Sequence, residues 1–183
     1  MTSETDRAAL LFAARRAIAE KLEGREPPVG ELLPRDATAP AGSGGAFVTL
    51  KIGGALRGCI GHLRSDAPVA ETVAEMARAA AFGDPRFPPL SREELGKASI
   101  EISRLSEFFP IAPENVEVGV HGLLLRQGFR SGILLPQVPG EQGWDRAAYL
   151  SGLCRKAGLP EGAFADPGAE LLAFTAEVFG EVD

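Results

Sequence analysis

One short run of residues holds the best chemical prospects in this chain. Arg57-Gly58-Cys59-Ile60-Gly61-His62-Leu63-Arg64 sets a thiol between two glycines and flanks it with two arginines and a histidine. Glycine lets a backbone come close to a ligand, and successive N–H groups make an anion-binding concavity. Arg57, Arg64 and His62 add positive charge, a setting that makes a thiol more nucleophilic. On this reading Cys59 is a candidate nucleophile, and Arg57, Gly58, Gly61 and His62 are candidate ligand-binding positions. The same residues also admit a packing role, because cysteine is often buried as a small hydrophobe. In a continuous strand Cys59 and His62 point to opposite faces and form no pair without a bend.

A second segment, Phe82-Gly83-Asp84-Pro85-Arg86-Phe87-Pro88-Pro89-Leu90, is stiffened by three prolines. Asp84 and Arg86 either pair with each other or send Arg86 toward a site. The segment would equally serve to stop one helix and lead to the next. His121, in Val118-Gly119-Val120-His121-Gly122-Leu123, has the chemistry of a general base or a metal ligand, or of a hydrogen-bonded structural residue. Cys154 falls with Leu150, Leu153 and Ala157 on one helical face and reads as core. The spacing of the cysteines and histidines matches no zinc pattern. No phosphate loop, dinucleotide fingerprint, paired-histidine metalloprotease helix or nucleophile elbow occurs. No metal and no cofactor is expected.

The elements that must position these residues follow from periodicity. Ser3 and Asp6 open a helix in which Leu11, Ala14, Ile18 and Leu22 recur at helical spacing up to Gly24. Residues 25 to 45 hold four prolines and four glycines and read as a long connection. Phe47 to Ile52 alternates as a strand, Gly53-Gly54 turns the chain, and Ala55 to Ile60 returns. Pro68 opens a helix buried through Val69, Val73, Met76 and Ala80 and stopped by Gly83 and Pro85. Ser91 to Glu94 is a capping box. Strands are expected over 99–105, 116–125, 129–135 and 171–179. Asp145 caps a helix over 146–157 that ends at Gly158. This mixture lacks βαβ alternation and predicts an α+β fold with a largely antiparallel sheet flanked by helices. No break in composition divides residues 1–183 into independent domains.

Bulk properties set outer limits. With 183 residues, 45% hydrophobic and 24% charged, the chain is long enough to bury a core and is no collagen, rod or polar tail. A net charge of −6 and the absence of Lys/Arg runs argue against nucleic acid as the main partner. The stretch Met1-Thr2-Ser3-Glu4-Thr5-Asp6 is acidic where a signal peptide is basic. No apolar run suits a bilayer. The expectation is a cytoplasmic protein with reduced thiols and no membrane contact.

Several blocks together resemble one family. Leu56-Arg57-Gly58-Cys59-Ile60-Gly61 is similar to the signature hexapeptide of the AMME syndrome candidate family, whose prokaryotic members are called AmmeMemoRadiSam system protein A. Asp84-Pro85-Arg86-Phe87-Pro88-Pro89-Leu90 resembles a second block and Gly119-Val120-His121-Gly122-Leu123 a third. Leu134 to Pro139, Gly143-Trp144 and Cys154 to Leu159 resemble a fourth. They occur in family order across residues 47–180. The chain departs at His62, where the family usually carries a small hydroxyl residue. The resemblance implies an α+β fold with a larger, sheet-based lobe and a smaller lobe. It also implies association with a Memo-like protein and a radical S-adenosylmethionine protein. It supplies no settled reaction. It points to Arg57, Cys59, Asp84, Arg86 and His121 as site candidates, for a small-molecule pocket with thiol-based catalysis or for a non-enzymatic interaction module.

Overall fold

The computed structural model describes residues 2–35, 37 and 39–181; Met1, named above in the acidic opening stretch, lies outside them. The chain divides into two compact units, Met1–Leu105 with Glu177–Asp183, and Ser106–Ala176.

The first unit begins with α1 (Glu4–Leu22), whose N-cap Ser3 accepts a hydrogen bond from the Asp6 amide. The buried stripe of α1 is Ala9, Leu10, Ala13, Ala14, Ala17 and Ile18. Leu11 and Leu22, expected at its centre, are only half-buried at its margin. Small alanines let neighbouring helices approach closely, and Ala9, Ala13 and Ala17 meet Leu32, Leu33 and Ala74. The long connection holds a single helical turn, α2 (Val29–Leu32).

β1 (Ala46–Ile52) and β2 (Ala55–His62) form an antiparallel hairpin. Gly53 and Gly54 both have positive φ, +56° and +79°, the backbone that a tight hairpin turn requires and other residues resist. Pairing starts regularly at Ile52↔Ala55 and Lys51↔Leu56, then slips by one residue, so Leu50 faces Gly58 and Thr49 faces Cys59. Arg57 is the extra residue of this bulge. β1 pairs on its other side with β3 (Ala98–Leu105), also antiparallel. β2 is the end strand of the sheet.

α3 (Val69–Phe82) lies on one face of this sheet. Val69, Val73, Met76 and Ala80 join Val48, Leu50, Ile100 and Ile102 in the first core. The opposite face carries Thr49, Lys51, Cys59 and Glu101, all half-buried. After the Asp84–Leu90 segment comes the single-turn α4 (Arg92–Leu95), with the expected capping box between Ser91 and Glu94.

In the second unit, β5 (His121–Gln127) pairs antiparallel with β6 (Arg130–Leu134) and with the first part of β7 (Glu170–Gly180), which also pairs with the short β4 (Phe109–Pro110). The last residues of β7 belong to the first unit. The strand expected from Val116 starts only at His121. Gly119 has φ +84°, and the Val120 and His121 amides both donate to the Glu117 carbonyl, so residues 117–120 form a turn. A helix not anticipated from sequence, α5 (Val138–Gln142), precedes α6 (Arg146–Ala157), which Asp145 caps as expected. Tyr149, Leu153 and Cys154 of α6 pack on Leu123, Leu125 and Ala173 in the second core. The architecture is α+β with antiparallel pairing, as the sequence predicts.

Candidate functional site

The site grows from one strand residue. Cys59 is a free, half-buried thiol on the sheet face opposite α3. Its Sγ accepts a hydrogen bond from Thr49 Oγ1 at 3.2 Å across the β1–β2 pair. Its amide and carbonyl point outward from the end strand, where unpaired backbone groups carry a desolvation cost and invite edge pairing.

The Asp84–Leu90 segment satisfies that edge. Asp84 Oδ2 accepts the Cys59 N–H at 2.9 Å, and Arg86 Nη2 donates to the Cys59 carbonyl at 3.3 Å. The two side chains also hold each other: Arg86 Nη2 lies 2.7 Å from Asp84 Oδ2 and Arg86 Nε 2.9 Å from Oδ1, which also accepts the Arg86 amide. Of the two alternatives read from sequence, pairing is therefore the arrangement present. The Arg86 guanidinium holds the buried Asp84 carboxyl well below the usual carboxylate range, against the opposing effect of burial. Arg86 itself is half-exposed.

Arg57 is buried and takes a different direction because the bulge re-aims it. Its Nε donates to Glu94 Oε1 at 2.8 Å, and its Nη2 donates to Glu94 Oε2 and to the Pro88 carbonyl. This pairing lowers the Glu94 carboxyl to about 2. The Arg57 and Arg86 guanidinium carbons each lie 5.6 Å from the centre of the Phe87 ring, within the range of cation–π attraction. Both arginine charges are thus matched by carboxylates of the same unit.

The two glycines have packing reasons. A Cβ on Gly58 would sit 2.2 Å from the Ala80 carbonyl of α3, and one on Gly61 would sit 2.3 Å from the Phe47 ring. His62 lies on the α3 side of the strand, its Nε2 3.5 Å from Glu75 Oε1. Cys59 and His62 therefore lie on opposite faces, as alternation requires. His121 belongs to the second unit. Its Nδ1 accepts the Glu117 amide at 3.1 Å, its carbonyl accepts from Tyr149 Oη, and its ring meets Phe109 edge-on.

Of the residues picked from sequence, Arg57, Gly58, Cys59, Gly61, Asp84 and Arg86 come together around the β2 edge. Sequence reasoning misses Thr49 and Glu94 and reads Phe87 only as part of the stiff segment 82–90. Thr49 and Lys51 are visible in the sequence as the outward face of β1, but regular hairpin counting from Gly53-Gly54 sets Thr49 opposite Gly58, and only the bulge at Arg57 brings that face to Cys59. Glu94 is visible only as a helix cap. Chemically, the arrangement fixes one thiol by its backbone on both sides and by a hydroxyl on its sulfur. Lys51 and Glu101, paired at 2.9 Å, stand on the same face. Among the described residues no cluster of His, Cys, Asp and Glu is arranged to hold a metal ion.

Similarity to known proteins extends over nearly the whole chain. The AMMECR1 family model matches residues 11–179. A protein of Methanopyrus kandleri is 41% identical over an alignment covering 94% of this chain and 86% of its own. One of Methanosarcina acetivorans is 39% identical, covering 99% and 94%. The crystal structure of the uncharacterized protein PH0010 from Pyrococcus horikoshii shares 37% identity, with a TM-score of 0.78 and coverage of 99% of this chain and 93% of that one.

Proposed function

This chain belongs to the AMMECR1 family, and from that premise we propose that its working group is the Cys59 thiol, acting as a nucleophile toward a small carbonyl-bearing molecule on the outer face of the first unit's sheet. One observation carries the reading: Cys59 is held at three points, Sγ by Thr49, N by Asp84 and O by Arg86. A reacting group gains most when its surroundings are locked before the substrate arrives. The Cys59 amide is already occupied by Asp84 and the Thr49 hydroxyl by the Cys59 sulfur, so charge developing on a substrate oxygen would be met by the Lys51 ammonium, which keeps donors beyond the one given to Glu101. His121 belongs to the second unit and has no part in this reading.

The experiment uses p-nitrophenyl acetate as an acyl probe. The Cys59 sulfur attacks the acyl carbon, the ester C–O bond breaks, nitrophenolate leaves, and the thiol proton passes to solvent. The expected result is one equivalent of nitrophenolate and an acetyl group on Cys59 by mass spectrometry. Cys59→Ser should give neither while keeping its thermal midpoint. A Cys59→Ser variant that reacts as fast as the natural chain would overturn the assignment.

A second reading is docking of a partner protein, favoured by the exposure of Pro85, Pro88, Pro89 and Leu56 beside the clamp. Memo-like and radical S-adenosylmethionine proteins are the partners the resemblance implies. Co-purification that Arg86→Ala and Phe87→Ala leave unchanged would remove this surface from consideration.

A further inference from the structure

We propose that two copies of this chain associate through their second units, with Phe129 of each copy seated in the cleft of the other between Pro113, Leu150 and Phe164. Phe129 shows 110% relative exposure, so no residue of its own chain shields it. It sits at the tip of the β5–β6 hairpin, after Gly128, whose φ of +60° takes the strained turn position, and beyond the closing pair Gln127↔Arg130. Nothing in that turn requires an aromatic, since the second residue of such a loop is ordinarily polar. A fully exposed aromatic at a hairpin tip has the form of an interface anchor where a cleft of matching chemistry can receive it.

A receptor for it exists on the same unit. A cleft of about 470 Å³ is lined by Pro113, Ala147, Leu150 and Phe164, with the Glu114 and Glu161 carboxylates among its polar lining. Arg146, the cation in that lining, is turned onto the Glu114 carbonyl. The tip carries Arg126 and Arg130 on either side of Gly128-Phe129; Arg126 is paired with Glu170 at 3.6 Å, while Arg130 lies against the Gly158 carbonyl and keeps its charge. An apolar knob beside the Arg130 charge complements an apolar hole between glutamates, and both belong to this chain. Both are also built on α6: Arg130 donates to the Gly158 carbonyl that ends it, while Ala147 and Leu150 lie along it. Knob and hole on one unit permit a reciprocal exchange that closes on a twofold axis. A bilayer is the weaker occupant, because stable membrane anchoring takes more than one inserted group. The proposal is independent of the chemistry assigned to Cys59.

The test is sedimentation velocity of the full chain over a wide range of concentration, with Phe129→Ser and Ala147→Trp variants. Both positions are exposed, so unchanged thermal midpoints will show that folding is intact. The expected result is a concentration-dependent dimer in the natural chain that weakens with added salt, and monomer in both variants. A natural chain that stays monomeric throughout, or a dimer that survives either substitution, would overturn the proposal. A monomer would leave the exposed tip to a different partner.

Discussion

The Asp84 carboxylate accepts the amide hydrogen of Cys59 at 2.9 Å, on the open side of an end strand. Arg86, held by the same carboxylate, completes the contact at the Cys59 carbonyl. Two side chains thereby satisfy a strand peptide as a neighbouring strand would, and they fix the backbone of the one half-exposed thiol. The two blocks that look separate in sequence are one structural unit in space.

Removing the carboxylate should be costly. Asp84→Ala leaves the Cys59 amide without its acceptor and Arg86 without its counter-charge, and an expected loss of about 2–4 kcal/mol follows from the burial of the site. Asp84→Asn keeps an acceptor for the amide and should cost less. Urea unfolding of the two variants checks the order.

Acid should weaken the fold in a defined window. Arg57 lowers Glu94 from the ordinary 4.5 to about 2, so the folded chain binds fewer protons than the unfolded chain between those values. Stability is then fully present above about pH 4.5 and is lost as pH falls toward about 2. Glu94 is one-third exposed, which screens the effect to on the order of 1 kcal/mol. Asp84 acts in the same direction at still lower pH. In Arg57→Met the Glu94 contribution should shrink to the part the Ser91 amide and hydroxyl supply, and a urea midpoint that falls as steeply with acid as in the natural chain would contradict the pairing.

Gly58 is a packing glycine, so its substitution tests the helix–strand contact. A Cβ there meets the Ala80 carbonyl at 2.2 Å, and backbone on both sides resists movement. Gly58→Ala should cost about 3 kcal/mol. Gly168→Ala, with nothing within 4 Å of its Cβ position, should stay within about 0.5 kcal/mol of the natural chain. Thermal or urea midpoints for both variants measure the contrast.

Local signals in the sequence carried much of the fold. The Ser3 and Asp145 caps, the Ser91–Glu94 box and the Gly53-Gly54 turn all depend on residues close in the chain, and each forms as expected. The misses have physical causes. Regular counting from Gly53-Gly54 would set Thr49 opposite Gly58; the bulge at Arg57 shifts it to Cys59, and no propensity marks a bulge. Val116–Val120 alternates like a strand, but Gly119 adopts a left-handed turn. The clamp between Asp84 and Cys59 joins residues 25 apart in sequence, and only tertiary packing brings them together. Glu94 reads as a cap because its second role, pairing with Arg57, depends on the same packing.

The most direct test of the Cys59 assignment is the alkylation rate of the folded protein by iodoacetamide in a Cys154→Ala background. Cys154 is fully buried and Cys59 half-buried, so the natural chain should take up one label while folded and a second only on unfolding. In the Cys154→Ala protein, Cys59 should react while the chain is folded, and Thr49→Val should change that rate by removing the hydroxyl from the sulfur. Protection of Cys59 until the protein unfolds would contradict the account and make the thiol a packing residue.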